Sequence, residues 1–170
     1  MVCVEPLDND DVTDVAQFVN SCWREAYAGI LDSGFLARLT TNSRADRIRE
    51  RMSVGGCFTA RDEGVLVGMV LYGPAHLPEL KGGGEISMLY VRAQSIGTGI
   101  GHRLLVAAEE ALCEQGYTTV GLDVYSANLR AVRFYEAHGY ATIGGKVDLI
   151  EGVTYPLDIM AKPVSPHAID

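Results

Sequence analysis

The sequence has few cysteines and no long apolar run, and these absences exclude several classes of protein. Its four cysteines, at positions 3, 22, 57 and 113, form no CxxC pair and have no histidine near them in sequence. This spacing argues against a zinc site or a redox motif, and we expect each cysteine to be a small buried hydrophobe. No stretch is long enough to span a bilayer, so no membrane association is predicted. Residues 1–11 lack a basic segment followed by an apolar one, and we therefore expect a cytoplasmic protein.

Basic residues are also scarce relative to acidic ones. Fourteen Lys and Arg against twenty-two Asp and Glu give a net charge of −8. Such a charge repels a phosphate backbone, so nucleic acid is not an expected partner, and a cationic partner is mildly favoured. With 48% apolar and 21% charged residues in 170, the chain can bury a substantial core. We predict one domain over residues 1–164 and a flexible tail over 165–170.

The periodicity of apolar residues predicts a mixed sheet with helices on its faces. Strands are expected at 1–6, 57–61, 65–72, 85–91, 118–125, 140–150 and 153–162. Helices are expected at 12–26, 32–39, 44–52, 99–115 and 128–138, the first capped by Asp11 and closed by Gly29, the last capped by Asn128 and closed by Gly139. Segment 73–84, rich in Gly and Pro, is predicted to be a mobile loop.

A glycine-rich turn, Ile96-Gly97-Thr98-Gly99-Ile100-Gly101, lies between the fourth strand and the following helix. Glycines allow successive backbone N–H groups to converge on an anion, and the helix amino terminus adds partial positive charge. The turn is not a dinucleotide GxGxxG motif, because His102 stands at the third glycine position, and it lacks the Gly-Lys-Ser/Thr of a Walker A loop. From this segment alone, a turn that binds nothing remains the alternative.

Three segments together resemble the GNAT superfamily of acyl-CoA-dependent N-acetyltransferases: EISMLYV at 85–91, GTGIGHRLL at 97–105 and NLRAVRFYEAHGY at 128–140. The resemblance implies a mixed, mostly antiparallel sheet of about seven strands flanked by about four helices. In that family the turn Q/R-x-x-G-x-G/A binds the pyrophosphate of acetyl-CoA through main-chain amides. Here Ile96 occupies the Q/R position, with Gln94 two residues earlier. Because the backbone supplies the amides, we expect cofactor binding to persist.

The resemblance also implies residue roles. The expected acetyl-CoA-binding residues are Leu89, Tyr90, Val91, Ile96, Gly97, Thr98, Gly99, Ile100, Gly101, His102, Asn128, Ala131 and Tyr135. Tyr135 is the expected general acid toward the departing thiolate, and its alternative interpretation is a core aromatic on a helical stripe. Glu85 is either the base that deprotonates the amine through water or an ordinary strand end. The oxyanion donor is expected among the main-chain N–H groups near Leu89 to Val91.

The remaining candidates concern the acceptor. Trp23 and Tyr27 resemble the residues that wall the acceptor pocket in small-molecule GNAT enzymes, although core aromatics give the same spacing. Arg44, Arg47 and Arg51 share one side of a predicted helix and could meet phosphates or a partner, but a solvated face is favoured. No metal site is predicted.

The function implied by the resemblance is acetyl transfer from acetyl-CoA to a primary amine by direct attack in a ternary complex. The acceptor is a small amine, polyamine, amino acid, aminoglycoside-like cation or protein amino terminus. A homodimer is plausible. The alternative is a CoA-binding regulatory domain without turnover.

Overall fold

A computed structural model describes residues 1–166 as one seven-stranded sheet with helices on both faces. The strands are β1 (Val2–Pro6), β2 (Gly56–Asp62), β3 (Val65–Pro74), β4 (Gly84–Val91), β5 (Thr119–Tyr125), β6 (Ala141–Ile150) and β7 (Val153–Pro163). The helices are α1 (Val12–Ala26), α2 (Ser33–Ala37), α3 (Thr41–Met52), α4 (Ile100–Glu114) and α5 (Leu129–Ala137). The predicted elements and fold class are confirmed, with five helices. Of the predicted tail, residues 167–170 lie outside the described range.

The sheet is joined weakly at its centre. Its strand order is β1-β2-β3-β4-β5-β7-β6, and β4 and β5 form its parallel pair. These two strands are paired only at Gly84↔Val120 and Glu85↔Gly121, whereas the pairing of β4 with β3 runs from Gly84 to Val91. Beyond Glu85 the two strands therefore diverge, and a gap opens between the antiparallel halves of the sheet.

Glycine makes the close approach at this junction possible. A Cβ on Gly121 would lie 2.4 Å from a methyl group of Leu80, and one on Gly84 would lie 2.9 Å from Leu112. Any larger residue at either position would push the helical layer or the loop away from the sheet. Gly84, predicted to end a loop, and Gly121, predicted inside a strand, thus allow β4 and β5 to pair where the gap begins.

Two apolar clusters cover the two faces of the sheet. On one face α4 and α5 pack on β3, β4 and β5 through residues such as Leu104, Leu105 and Leu122. On the other face α1 and α3 pack on β3 and β4 through Val15, Ile48 and others. Side chains alternate along β4, so Leu89 and Val91 face the first cluster, while Met88 and Tyr90 face the second.

Some local predictions need correction. Cys3 is exposed on β1 and Cys113 is half-buried, so only Cys22 and Cys57 are the buried hydrophobes expected. Helix α3 begins at Thr41 rather than near residue 44, because the Thr40 hydroxyl caps it by accepting from the Ser43 N–H at 3.3 Å. The segment predicted as a mobile loop packs Leu77 and Leu80 against Ile159. None of the helices within residues 1–166 is long and apolar enough to cross a membrane.

Candidate active site

The gap between β4 and β5 opens into a cleft of about 1150 Å³. Residues of both helical layers line it, because the gap connects the two faces of the sheet. All the predicted site residues line this cleft except Thr98 and Ile100. Thr98 turns its hydroxyl back to the Ser95 carbonyl at 2.5 Å, and the Ile100 side chain is buried in the α4 cluster. The sequence-based candidates therefore converge on one cavity.

The backbone of β4 presents polar groups to this cleft. In an antiparallel pair the residues that exchange hydrogen bonds alternate along the strand. Arg92 donates its N–H to the Val67 carbonyl at 2.8 Å, and the register Met69↔Tyr90 continues that set. It follows that the peptide groups of Leu89 and Val91 point away from β3, toward the gap. The amide of Tyr90 faces β3 instead, so Tyr90 meets the cleft through its side chain.

A bulge in β4 adds a further polar side chain. Leu71 pairs with Met88 but Tyr72 pairs with Ile86, which leaves Ser87 as the extra residue. Its Oγ accepts a hydrogen bond from Arg51 Nε at 3.1 Å. The bulge shifts the pairing of β4 with β3 by one residue, so Glu85, before the bulge, and Leu89, after it, lie in different registers.

The glycine turn is open toward the cleft. Gly97 and Gly99 have φ values of +83° and +87°, a conformation that favours glycine. A Cβ at either position would meet no atom within 4 Å, so side chains do not fill the bend. Gly99 is the N-cap of α4, and the first-turn N–H groups of this helix lie at the turn. The bend thus has the form of an anion cradle.

Tyr135 lies on α5, whose start is fixed by Asn128. The Asn128 Oδ1 accepts from the Ala131 N–H at 3.3 Å, so the predicted cap is confirmed. Tyr135 is only 8% exposed, yet it lines the cleft, and its hydroxyl forms no hydrogen bond to another side chain or carbonyl within residues 1–166. Burial, with Tyr27 and Asp123 nearby, raises its pKa well above the usual range. The hydroxyl therefore stays protonated and available as a donor.

Glu85 is buried, contrary to the interpretation as an ordinary exposed strand end. It is 2% exposed, and its two oxygens have separate partners on His76. Oε1 lies 2.9 Å from His76 Nδ1, and Oε2 accepts from the His76 backbone N–H at 2.9 Å. The imidazole itself is 60% exposed. A carboxylate inside the cleft is thus connected to solvent through one histidine.

Aromatic side chains wall the α1 side of the cleft. Trp23 contacts Tyr27 edge to face with ring centroids 4.8 Å apart, and it lies 6.5 Å from Tyr90 and 6.3 Å from Tyr125. Burial raises the pKa of Tyr27 and of Tyr90. Both rings therefore remain neutral, and they form an apolar wall with hydroxyl tips. Trp23 and Tyr27 belong to this wall rather than to the core alone.

Several cleft residues were not predicted from the sequence. Asp123 pairs with Lys146 at 2.5 Å, and Asp148 accepts from the Tyr125 hydroxyl at 2.9 Å. The sequence contains one signal for these residues. Charged residues alternate with apolar ones along β5 and β6, which indicates that the charged side chains lie on one face of each strand. Within the described residues, no cluster of His, Cys, Asp and Glu could hold a metal ion.

The arginine stripe of α3 departs from its prediction. All three line the cleft, but only Arg44 is buried, at 6% exposure, so the prediction of a solvated face is wrong for Arg44 and holds for the exposed Arg47. The guanidinium of Arg44 lies over the Trp23 ring, 4.5 Å from its centroid. Arg51 is held by neutral partners, Ser87 Oγ and the Pro74 carbonyl.

The sequence profile of the acetyltransferase (GNAT) family matches residues 17–140. The chain belongs to this family. It is therefore an acyltransferase of the GNAT type. The matched range contains α1 from residue 17 onward, all of α3, the glycine turn and Tyr135, each of which contributes to the cleft.

Relatives of this GNAT protein agree with the assignment. The uncharacterized N-acetyltransferase YuaI of Bacillus subtilis is 28% identical over 139 residues, which cover 81% of this chain and 79% of YuaI. The structure of yncA from Salmonella typhimurium with its cofactor acetyl-CoA matches with a TM-score of 0.75 at 18% identity, covering 100% of this chain and 98% of yncA. The PaiA N-acetyltransferase of Thermoplasma acidophilum, in complex with coenzyme A, matches with a TM-score of 0.72 at 20% identity, covering 96% and 99%. At these identities the two structures establish a shared fold.

Proposed function

We propose that this GNAT protein transfers an acetyl group from acetyl-CoA to a primary amine by direct attack in a ternary complex. The observation that carries the proposal is the single cleft between β4 and β5, which is lined by the glycine turn, the free edge of β4, Tyr135 and Glu85. The yncA and PaiA structures, which hold acetyl-CoA and coenzyme A, support this choice of cosubstrate.

The residues present fit acetyl-CoA. The open bend at Gly97 and Gly99 would receive the pyrophosphate through main-chain amides, at the amino terminus of α4. Ile96 in place of Gln or Arg is expected to have little effect on binding of the pyrophosphate, because the backbone amides are present whatever the side chain is. Asn128 and the outward peptide groups of Leu89 and Val91 would bind the pantetheine arm. The cosubstrate supplies an activated thioester carbonyl.

The catalytic roles follow from the chemistry of thioester aminolysis. Glu85 accepts a proton from the incoming ammonium through water, so that the neutral amine nitrogen can form the new C–N bond. The main-chain N–H groups of Leu89 and Val91 would stabilise the charge that develops on the carbonyl oxygen. Tyr135 donates its proton to the sulfur as the C–S bond breaks, and it regains a proton from the attacking nitrogen, which loses its second proton as the amide forms. His76 returns the proton held by Glu85 to solvent.

Two measurements test the proposal: the heat of acetyl-CoA binding, and thiol release from acetyl-CoA across an amine panel. Gly99→Ala places a methyl group in the bend and is expected to weaken acetyl-CoA binding. Gly116→Ala is the matched control, because it has a similar φ of +94° and open space around the Cβ but follows the far end of α4. Equal losses of affinity in the two variants would count against the bend as the phosphate site. Binding without turnover on any amine would favour a CoA-binding regulatory domain.

We also propose a homodimer formed through the outer face of β6. This edge strand exposes Ile143, Val147 and Leu149, of which Leu149 is 71% exposed beside the cleft. An edge strand with an apolar outer face is a candidate for pairing with a second chain. Light scattering on the wild type and on Val147→Lys tests this assignment, and an unaltered monomer in both would contradict it. The cytoplasmic location stays a prediction.

A further inference from the structure

The α3 side of the cleft contains a buried positive charge that lacks a counter-ion. Arg44 is 6% exposed, and no carboxylate within residues 1–166 forms an ion pair with it. Its Nε donates to Asn20 Oδ1 at 2.9 Å, and Trp23 lies under the guanidinium. Burial lowers the pKa of Arg44, and Arg47 lowers it further. A buried guanidinium with only neutral partners is costly, which makes the absence of a carboxylate informative.

A second buried donor lies at the same place. The Nε1–H of Trp23 is buried and has no hydrogen-bond partner in the described part of the chain. Native proteins leave few such donors unpaired, so each one needs an explanation. Trp23 and Arg44 come from different helices, α1 and α3, and both line the cleft. Two helices therefore bring donors that lack partners close together, since the guanidinium carbon of Arg44 lies 4.5 Å from the centroid of the Trp23 ring.

The geometry of Arg44 suits a planar anion. Because Nε is engaged by Asn20, the two terminal nitrogens remain, and they have no partner within residues 1–166. Their N–H groups form a fork that matches the two oxygens of a carboxylate. The guanidinium plane is fixed by Asn20 on one side and by the Trp23 ring on its face.

The cleft lining carries charges of both signs. Arg44, Arg47 and Arg51 lie along α3 and form no ion pair within the described residues, but Glu50 of the same helix and Lys146 of β6 line the cleft as well. Of the three arginines, Arg44 is the buried one. The lack of a counter-ion therefore costs most at Arg44.

We infer that the amine acceptor carries a carboxylate, which binds at Arg44 beside the Trp23 ring. This inference rests on the proposed acetyl transfer and narrows the acceptor to molecules of the amino acid class. The net charge of −8 favours a cationic partner, but it sums the charges of the whole chain and does not describe the surroundings of Arg44.

The first experiment uses the wild-type protein and needs no substitution. Acetyl-CoA turnover is measured with a panel of free amino acids and with the matching amino acid amides, which differ only in the lost carboxylate. The best amino acid is expected to exceed its amide by about 10- to 100-fold in kcat/KM, the usual worth of charge-assisted hydrogen bonds in a partly buried site. Amides or simple polyamines that react as well as the acids would overturn the inference while leaving acetyl transfer intact.

Variants then locate the carboxylate. Arg44→Gln is expected to remove the preference for the acid over the amide, with the KM of the acid rising far more than the KM of the amide. Arg49→Gln is the matched control, since it lies on α3 and pairs with Asp46 away from the cleft. Trp23→Phe keeps the aromatic ring but removes the orphan N–H, so the KM of the acid should rise without loss of thermal stability. An Arg44 variant that folds and retains the full preference would refute the assignment.

A binding measurement separates this inference from the proposed function. Thermal shifts of the wild type in the presence of coenzyme A are compared for N-acetyl amino acids and for their amides, which cannot be acetylated again at nitrogen. A larger shift with the acid supports the carboxylate site even if no amine is turned over. Equal shifts would overturn the carboxylate site, whereas turnover of amines would still establish the acetyl transfer.

Discussion

Removal of one oxygen atom, in Tyr135→Phe, separates catalysis from stability in this protein. The hydroxyl lies in the cleft and has no hydrogen-bond partner within residues 1–166. Its loss therefore leaves no buried group unpaired, and the free energy of unfolding should change by less than about 0.5 kcal/mol. If Tyr135 protonates the departing thiolate, kcat should fall by about 10²- to 10⁴-fold. That range equals about 3–5 kcal/mol of transition-state stabilisation.

Tyr140→Phe is the matched control for this change. The Tyr140 hydroxyl donates to Glu109 Oε1 at 2.7 Å behind α4, outside the cleft. Its removal should cost about 1.5–3 kcal/mol of stability, because the partner is charged, and should leave kcat unaltered. Tyr135→Phe is thus expected to lose turnover and keep its stability in urea, whereas Tyr140→Phe is expected to lose stability and keep turnover.

The assay is thiol release from saturating acetyl-CoA, with the affinity for the cosubstrate measured separately by calorimetry. Affinity should be preserved in Tyr135→Phe, because the ring remains. Burial holds the pKa of Tyr135 above its usual value of 10.0, so wild-type kcat should not decline below pH 10 through ionisation of this group. A Tyr135→Phe enzyme with kcat within threefold of the wild type would refute its role as the acid.

Three further predictions concern other residues. Glu85→Gln should lower kcat by about 10²-fold near neutral pH, with recovery at alkaline pH where the amine is already neutral, and Glu79→Gln, in the loop that precedes β4, should have no effect in the same turnover assay. Asn128→Ala should lower the free energy of unfolding in urea by about 1 kcal/mol and weaken coenzyme A binding. Asn128→Ser should restore the helix cap, and with it the stability, but not the affinity for coenzyme A. Recovery of both stability and affinity in Asn128→Ser would contradict a direct contact between Asn128 and the cosubstrate. Burial raises the pKa of Cys57 from 9.0 to about 12, so its contribution to stability is complete below pH 9 and is lost as the pH rises through 12. Between pH 9 and 11 the free energy of unfolding should fall by about 1.4 kcal/mol per pH unit more steeply in the wild type than in Cys57→Ala, and equal slopes would exclude this linkage.

The elements of the fold could be predicted because local patterns determine them. The helix caps at Asn128 and Gly139 and the two-residue turn at Glu151-Gly152 depend on neighbouring residues alone. The divergence of β4 from β5 could not be predicted, because it depends on what packs above Gly84 and Gly121 from distant segments. The cleft is thus a tertiary property, although every residue that borders it is visible in the sequence.

The predicted site residues converge for a related reason. The roles proposed for Leu89 and Val91 belong to their peptide groups, whose direction follows from strand register rather than from side-chain identity. A motif that determines the strand and the turn therefore also determines where the proposed oxyanion donors and the proposed phosphate site lie. Ile96, which stands where the family has Gln or Arg, alters a side chain and leaves this backbone geometry unchanged.

The burial of Arg44 could not be predicted from the sequence pattern. An arginine that shares one side of a predicted helix with two other arginines is expected to face solvent, since charged residues are rarely buried without a partner. What overturns that expectation is the Trp23 ring of another helix, which covers one face of the guanidinium, and the Asn20 amide beside it. These contacts stabilise the cation enough to keep it in place but supply no negative charge. A helix that only needed to pack could use a neutral residue here, so a retained charge without a counter-ion is best explained by a ligand that brings one.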